Sequence, residues 1–127
     1  MFDVLVRFRK HLLWAYSIAL ALVLALPLAP PTPDPIFSYM AHFLLFFGLH
    51  TAAEFAHLFA GGRHIAKYTL MMAVLLEAMQ AFIPYRQFDI IDLSANIFGV
   101  FCGYALALSI RMYSPLARTL GRFSRKK

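Results

Sequence analysis

Four apolar runs, each long enough to cross a bilayer as a helix, constrain this chain more than any other feature. They extend from about His11 to Leu28, Ile36 to Ala60, Ile65 to Ile83 and Ile90 to Ile110. A helical span needs roughly 17–25 predominantly apolar residues. In a chain of 127 residues these runs leave room for a single membrane domain, 1–127, and no appended soluble module. Strands would need a closed barrel to satisfy their backbone in lipid, and no alternating pattern is present. Composition agrees: 61% of residues are hydrophobic, 14% are charged and the mean hydropathy is +0.68. Soluble domains have about 45–50% apolar and about 25% charged residues. The expected fold is an all-α membrane protein of four transmembrane helices with short loops.

A net charge of +6 raises the question of nucleic acid, but its distribution answers otherwise. Arg7, Arg9 and Lys10 precede the first run, and Arg63 and Lys67 lie between the second and third. Arg111, Arg118, Arg122, Arg125, Lys126 and Lys127 end the chain. Of the 12 basic residues, only Arg86 falls on the other side. This is the positive-inside pattern, and it predicts both termini in the cytoplasm. The partner is then the lipid bilayer and not a nucleic acid. The first run could instead be a cleaved signal sequence, but such apolar regions are usually about 7–15 residues. This one is longer, so a retained helix is expected. Cys102, the single cysteine, permits no internal disulfide and reads as a packed thiol.

Local signals divide the runs. Pro30, Pro31, Pro33 and Pro35 make the first connection stiff and extended, with Asp34 placed to cap the second helix. Gly61-Gly62 suits the end of that helix, and Pro84 the end of the third. Asp89 stands where an N-cap belongs, and Asp92 lies near the same positive helix end. Leu116, Leu120 and Phe123 recur at helical spacing among arginines, which predicts a basic amphipathic tail, 114–127, on an anionic leaflet.

Glu77 to Asn96 then sets Glu, Gln, two Asp and Asn among apolar residues. Such groups inside spans are costly and mark functional sites by default. At a rise of 1.5 Å per residue, His42, Glu77 and Asn96 each lie about 9 Å below the same end of their helices. Gln80 and Asp92 are shallower, at about 3–5 Å. Asp89, Asp92 and Asn96 fall within about 60° of one another on the fourth helix. Gly99 and Gly103 extend that face at a spacing that permits close helix approach. Interhelical hydrogen bonding is a competing role, strongest for Gln80 and Asn96. Glu77, Asp89 and Asp92 against Arg86 leave an uncompensated half-buried negative charge. A protonated carboxyl, most plausibly Glu77, a bridging divalent cation, or a positively charged ligand would each resolve it. His50, Glu54 and His57 form a second set on the second helix. They could serve as a metal or proton-relay set, but a pair extending to the inner interface is the preferred expectation.

The ordered set Glu77-x-x-Gln80, Pro84-x-Arg86, Asp89-x-x-Asp92 and Asn96-x-x-Gly99-x-x-x-Gly103, with His42-Phe43 upstream, resembles the VanZ-like family of small bacterial membrane proteins. The family often has Asp-Lys shortly before that His; here Ser38-Tyr39 stands there. The resemblance implies an envelope role at the outer face. The family is named for a member associated with resistance to the glycopeptide teicoplanin, and members accompany surface-polysaccharide functions.

Together these readings predict an outward-facing polar pocket in a bacterial inner membrane. It would bind, and act on, the head of a lipid-linked envelope or polysaccharide intermediate. Glu77, His42 and Asp92 are the candidate catalytic groups, and Arg86, Gln80, Asp89 and Asn96 the candidate substrate-binding groups. Arg86 has the fork geometry for phosphate. A non-enzymatic partner for an envelope-assembly protein, bearing on glycopeptide tolerance, and a small oligomeric transporter are the alternatives.

Overall fold

A computed structural model describes residues 2–26, 35–57, 63–84 and 88–114, with side chains from Phe8 onward. They form four helices: α1 (Phe2–Ala25), α2 (Pro35–Ala56), α3 (Arg63–Gln80) and α4 (Ile90–Tyr113). No strand occurs among the described residues. The proline-rich connection, Asp34, Gly61-Gly62, Arg86 and the basic tail from residue 115 lie outside them.

The side-chain contacts fix how the helices run. Arg9 on α1 reaches Ala56 on α2, and Tyr16 reaches Leu45, so α1 and α2 are antiparallel. Ser17 meets Tyr68 and Gln80 meets Leu24, so α1 and α3 are parallel. His42 meets Asn96 near the starts of α2 and α4, while Glu54 meets Arg111 near their ends. These two helices are parallel and share the most extensive contact in the bundle. Among the described residues the α1 backbone packs beside α2 and α3 and stays away from that of α4.

The distribution of polarity is that of a protein solvated by lipid. Ser17, His42, His50, Glu54, Thr69, Glu77, Gln80 and Asn96 are buried, while Trp14, Phe37, Leu44, Val74, Phe98 and Phe101 are exposed. Polar groups turn inward because only other helices can satisfy them at membrane depth. The apolar part of the core is Leu20, Leu24, Phe46, Leu49, Ala73, Leu76 and Val100. By length and composition α1, α2 and α4 are each able to cross a bilayer. α3 has 18 residues, and Arg63, Lys67, Glu77 and Gln80 dilute its apolar stretch. At about 27 Å it still approaches a hydrocarbon core of roughly 30 Å.

Two close approaches set the α2–α4 seam. A Cβ on Gly99 would collide with the Phe43 carbonyl oxygen and lie 3.0 Å from the Phe47 nitrogen. A Cβ on Gly103 would lie 2.9 Å from the His50 Cβ. The backbones therefore meet only because both side chains are hydrogen atoms, the arrangement expected of small residues four apart.

Helix boundaries differ from the sequence expectation mainly in α1. It starts at Phe2 and not near His11, so Arg7, Arg9 and Lys10 belong to the helix and do not merely flank it. A helix satisfies its own backbone, and long basic side chains extend from it to other groups. The Arg9 Nε–H donates to the Ala56 carbonyl at 2.8 Å, in the last turn of α2. Arg9→Met is expected to lower stability by about 1 kcal/mol, read by reversible unfolding in mixed micelles. α2 ends at Ala56, the expected end near Ala60 lying outside the described residues, and α4 continues to Tyr113, where the Ser114 backbone N–H caps Ile110. α3 stops at Gln80, followed by turn bonds from Phe82 to Met79 and from Ile83 to Gln80. Cys102 is free and partly buried.

Candidate functional site

Three of the expected site residues meet directly where α2 and α4 begin. His42 is the sixth residue past Ile36 on α2, and Asn96 is one turn past Asp92 on α4. The His42 Nδ1 lies 2.9 Å from the Asn96 Oδ1. An amide oxygen only accepts, so Nδ1 carries the proton and Nε2 faces the other way. There the Asp92 Oδ2 lies 3.5 Å from Nε2. That separation is long for a hydrogen bond and within reach of an ion pair. His42 and Asn96 are fully enclosed, whereas 13% of the Asp92 side chain is exposed. The dyad therefore opens to its surroundings through the carboxylate.

Ser38 completes this corner. Its Oγ–H points to both Asp92 carboxylate oxygens, at 3.4 and 3.5 Å. Ser38 was not among the expected site residues. The available signal was its position one turn before His42, which places the two on the same face. It is also one of the two positions where this chain departs from the Asp-Lys pattern of its resemblance.

Glu77 approaches from α3. Its Oε1 accepts the Asp89 backbone N–H at 3.0 Å, while the buried Oε2 has no hydrogen-bond partner among the described residues. Asp89 is the N-cap of α4, and its Oδ1 accepts the Ile91 N–H at 2.7 Å. Glu77 thus fixes the N-cap residue whose own side chain starts the next helix. His42, Asp89 and Asp92 all lie within electrostatic reach of Glu77.

Gln80 turns elsewhere. Its amide Nε2 donates to the Leu24 carbonyl at 3.2 Å, satisfying an end carbonyl of α1. The structure thus gathers His42, Asp92 and Asn96, links Glu77 to Asp89, and directs Gln80 to α1. Arg86 lies in 85–87, outside the described residues. The Asn96 Nδ2 is buried without a hydrogen-bond partner among the described residues.

An imidazole held by an amide on one nitrogen and facing a carboxylate with the other is arranged for proton transfer. The described residues contain no group of three or more His, Cys, Asp or Glu side chains arranged to hold a metal ion.

The second set on α2 departs from expectation. Glu54 does not extend to the interface; it is fully buried, with Arg111 Nη2 3.5 Å from its Oε1. α4 is parallel to α2, so Arg111 comes alongside Glu54, and burial against α4 leaves the carboxylate no route outward. His50 is equally buried and meets Thr69 on α3 at 2.9 Å, whereas His57 is exposed. Neither Thr69 nor Arg111 was expected here. Arg111 continues the α4 face of Gly103 and Ala107, a periodicity that the count of basic tail residues obscured.

A model of the VanZ/LLP1 family matches residues 4–111. The chain belongs to the VanZ/LLP1 family. An uncharacterized protein of Schizosaccharomyces pombe is 32% identical to it over 107 residues. The match covers 80% of this chain and 64% of the yeast protein, so the chain spans under two thirds of that relative's length. No solved structure matches. The family match spans all four helices, from α1 to the Arg111 end of α4.

Proposed function

We propose that this VanZ/LLP1 protein binds the polar head of a lipid-linked envelope intermediate, such as a polyprenyl-linked saccharide, and acts on it by proton transfer. The observation that carries the reading is the His42–Asp92 pair, oriented by Asn96 and partly open at one end of the bundle. A lipid-linked ligand suits this site because its chain lies in the bilayer while its head reaches the helix ends. His42 and Asp92 serve as acid and base, with Glu77 beside them. Arg86, two residues beyond Pro84, engages phosphate through its planar fork. The basic helix ends at the far side of the bundle support a cytoplasmic location for that side. The pocket then faces outward across a bacterial inner membrane, with several passes of the chain.

The test compares Glu77→Gln and Arg86→Ala with the wild-type chain in lipid nanodiscs. Gln keeps an oxygen for the Asp89 N–H, so the N-cap contact survives. Both variants are expected to accumulate normally and lose cellular function. Arg86→Ala should also bind a polyprenyl diphosphate at least about tenfold more weakly, the loss of one charge-assisted contact. Wild-type binding and function in both variants would sink the reading.

A second reading, a non-enzymatic partner in envelope assembly, is favoured by one observation. Gln80 and Glu77 both satisfy backbone groups at helix ends. Under that reading Glu77→Ala and Gln80→Ala, which remove those contacts, lower abundance or complex formation, and polyprenyl diphosphate binding is absent throughout. A third reading, a small oligomeric transporter, places its path between copies of the chain, since Phe46, Leu49 and Val100 fill the core between the two polar ends of α2.

A further inference from the structure

At the other end of the α2–α4 seam lies a buried polar centre that the proposed pocket does not use. It is about 18 Å from His42 along α2, counting the residues to Glu54. His50 and Glu54 are one turn apart, both fully buried. Thr69 comes from α3, and Tyr104 and Arg111 come from α4.

The hydrogen bonds decide the proton positions. The Thr69 hydroxyl donates to the Ile65 carbonyl at 3.0 Å, so toward His50 it is an acceptor. The His50 Nδ1, 2.9 Å away, is therefore the donor. Its Nε2 is left with a bare lone pair, 3.8 Å from the Glu54 Oε1. Two acceptors thus face each other in a site closed to lipid. Neither His50 Nε2 nor either Glu54 oxygen has a hydrogen-bond partner among the described residues. The Arg111 Nη2 is likewise a buried donor without one, 3.5 Å from the same oxygen. Both separations are longer than a direct hydrogen bond, and a polar contact of that kind can be completed by a water. A water here would accept from Arg111 and donate to His50 and Glu54, making the roughly three bonds typical of a buried water.

We propose that His50, Glu54 and Arg111 form a water-bridged proton-exchange site, loaded and unloaded through the membrane face where α2 and α4 end. On uptake an O–H bond forms at Glu54 as the bridging water gives up a proton. That water regains a proton from solvent, so each chain gains a single proton, and release reverses both steps. The route to solvent is Arg111, whose side chain is 24% exposed beside the two fully enclosed groups. Its guanidinium lies 5.8 Å from the Tyr104 ring centroid, and that ring meets His50 edge-on. Arg111 stays charged throughout and returns as the ion-pair partner whenever Glu54 is ionised. Among the described residues, charged groups at this end also come from α1 and from His57, past the end of α2. Arg9 is bonded to the Ala56 carbonyl, and both it and Lys10 act on the exposed His57. From α3 the neutral Thr69 faces the centre, while Arg63, His64 and Lys67 of that helix are exposed.

The test is an infrared pH titration of the full chain in lipid nanodiscs, with Glu54→Gln subtracted to isolate one carboxyl from those at the other end. The wild-type chain is expected to show a carboxyl stretch that titrates, shifts in heavy water and vanishes in Glu54→Gln. His50→Gln and Arg111→Gln should each move its midpoint by about a pH unit, a tenfold change in proton affinity. An indicator dye should register a single extra proton taken up by wild type over Glu54→Gln. Superimposable wild-type and Glu54→Gln spectra at every pH overturn the proposal. So does a Glu54→Gln variant that loses stability while the wild-type carboxyl signal stays indifferent to pH and heavy water.

Discussion

Gly99→Leu is expected to leave no folded bundle. The Cβ alone meets the backbone of Phe43 and Phe47, which cannot rotate away as a side chain would. Even Gly99→Ala should cost about 1–3 kcal/mol, the range for overpacking a close contact. Gly103→Ala should cost less, since its nearest neighbour is the His50 Cβ at 2.9 Å and the Phe47 carbonyl is 3.2 Å away. Reversible unfolding in mixed micelles measures all three. The order matters more than the size: a Gly99→Ala variant as stable as wild type would mean that α2 and α4 do not pack with their backbones in contact. Because His42, Asn96, His50 and Glu54 all sit along this seam, separating it would also dismantle both polar centres.

The second large effect concerns the polar corner itself. His42→Leu removes the group that meets the Asn96 Oδ1 and takes one contact from the Asp92 carboxylate, which keeps the Ser38 hydroxyl, and is expected to cost about 2–4 kcal/mol. Asp92→Leu should cost less, because the Asp92 side chain is 13% exposed and water can reach it. Changing His42, Asp92 and Asn96 all to leucine removes the mutual need, and that triple variant should be at least as stable as wild type. It should also be inert in every functional assay. A corner that serves only to hold the helices together would give the opposite pattern, with the triple variant less stable than either single one. The comparison therefore separates a site kept for chemistry from one kept for assembly.

Much of the architecture was legible in the chain. The four apolar runs became four helices, because length and hydropathy in lipid allow little else. The α4 face was legible too: Asn96, Gly99 and Gly103 recur at helical spacing and all are buried. Depth counting brought His42 and Asn96 to one level, and they meet. Other features resisted. The apolar run from about His11 did not reveal that α1 begins at Phe2, since charge marks where lipid ends and not where a helix ends. Glu54 was expected at the interface because its partner Arg111, 57 residues on, reads in sequence as one more basic tail residue. Gln80 was counted with the pocket and also as an interhelical hydrogen bonder; it is the second, and its partner, the Leu24 carbonyl on α1, is one that no side-chain pattern announces.

The sequence by itself determined the solvent of this protein, its helices and the class of residue that had to be hidden in it. Those follow from local quantities, namely apolar length, charge count and helical period. Tertiary structure decided which hidden groups became partners. It joined His42 to Asn96 and Asp92, gave Glu77 the Asp89 N–H, and brought Arg111 to Glu54. The physical reason is that a buried polar atom needs a partner but not a particular one. Only the parallel packing of α2 against α4, made possible at Gly99 and Gly103, selects among the candidates.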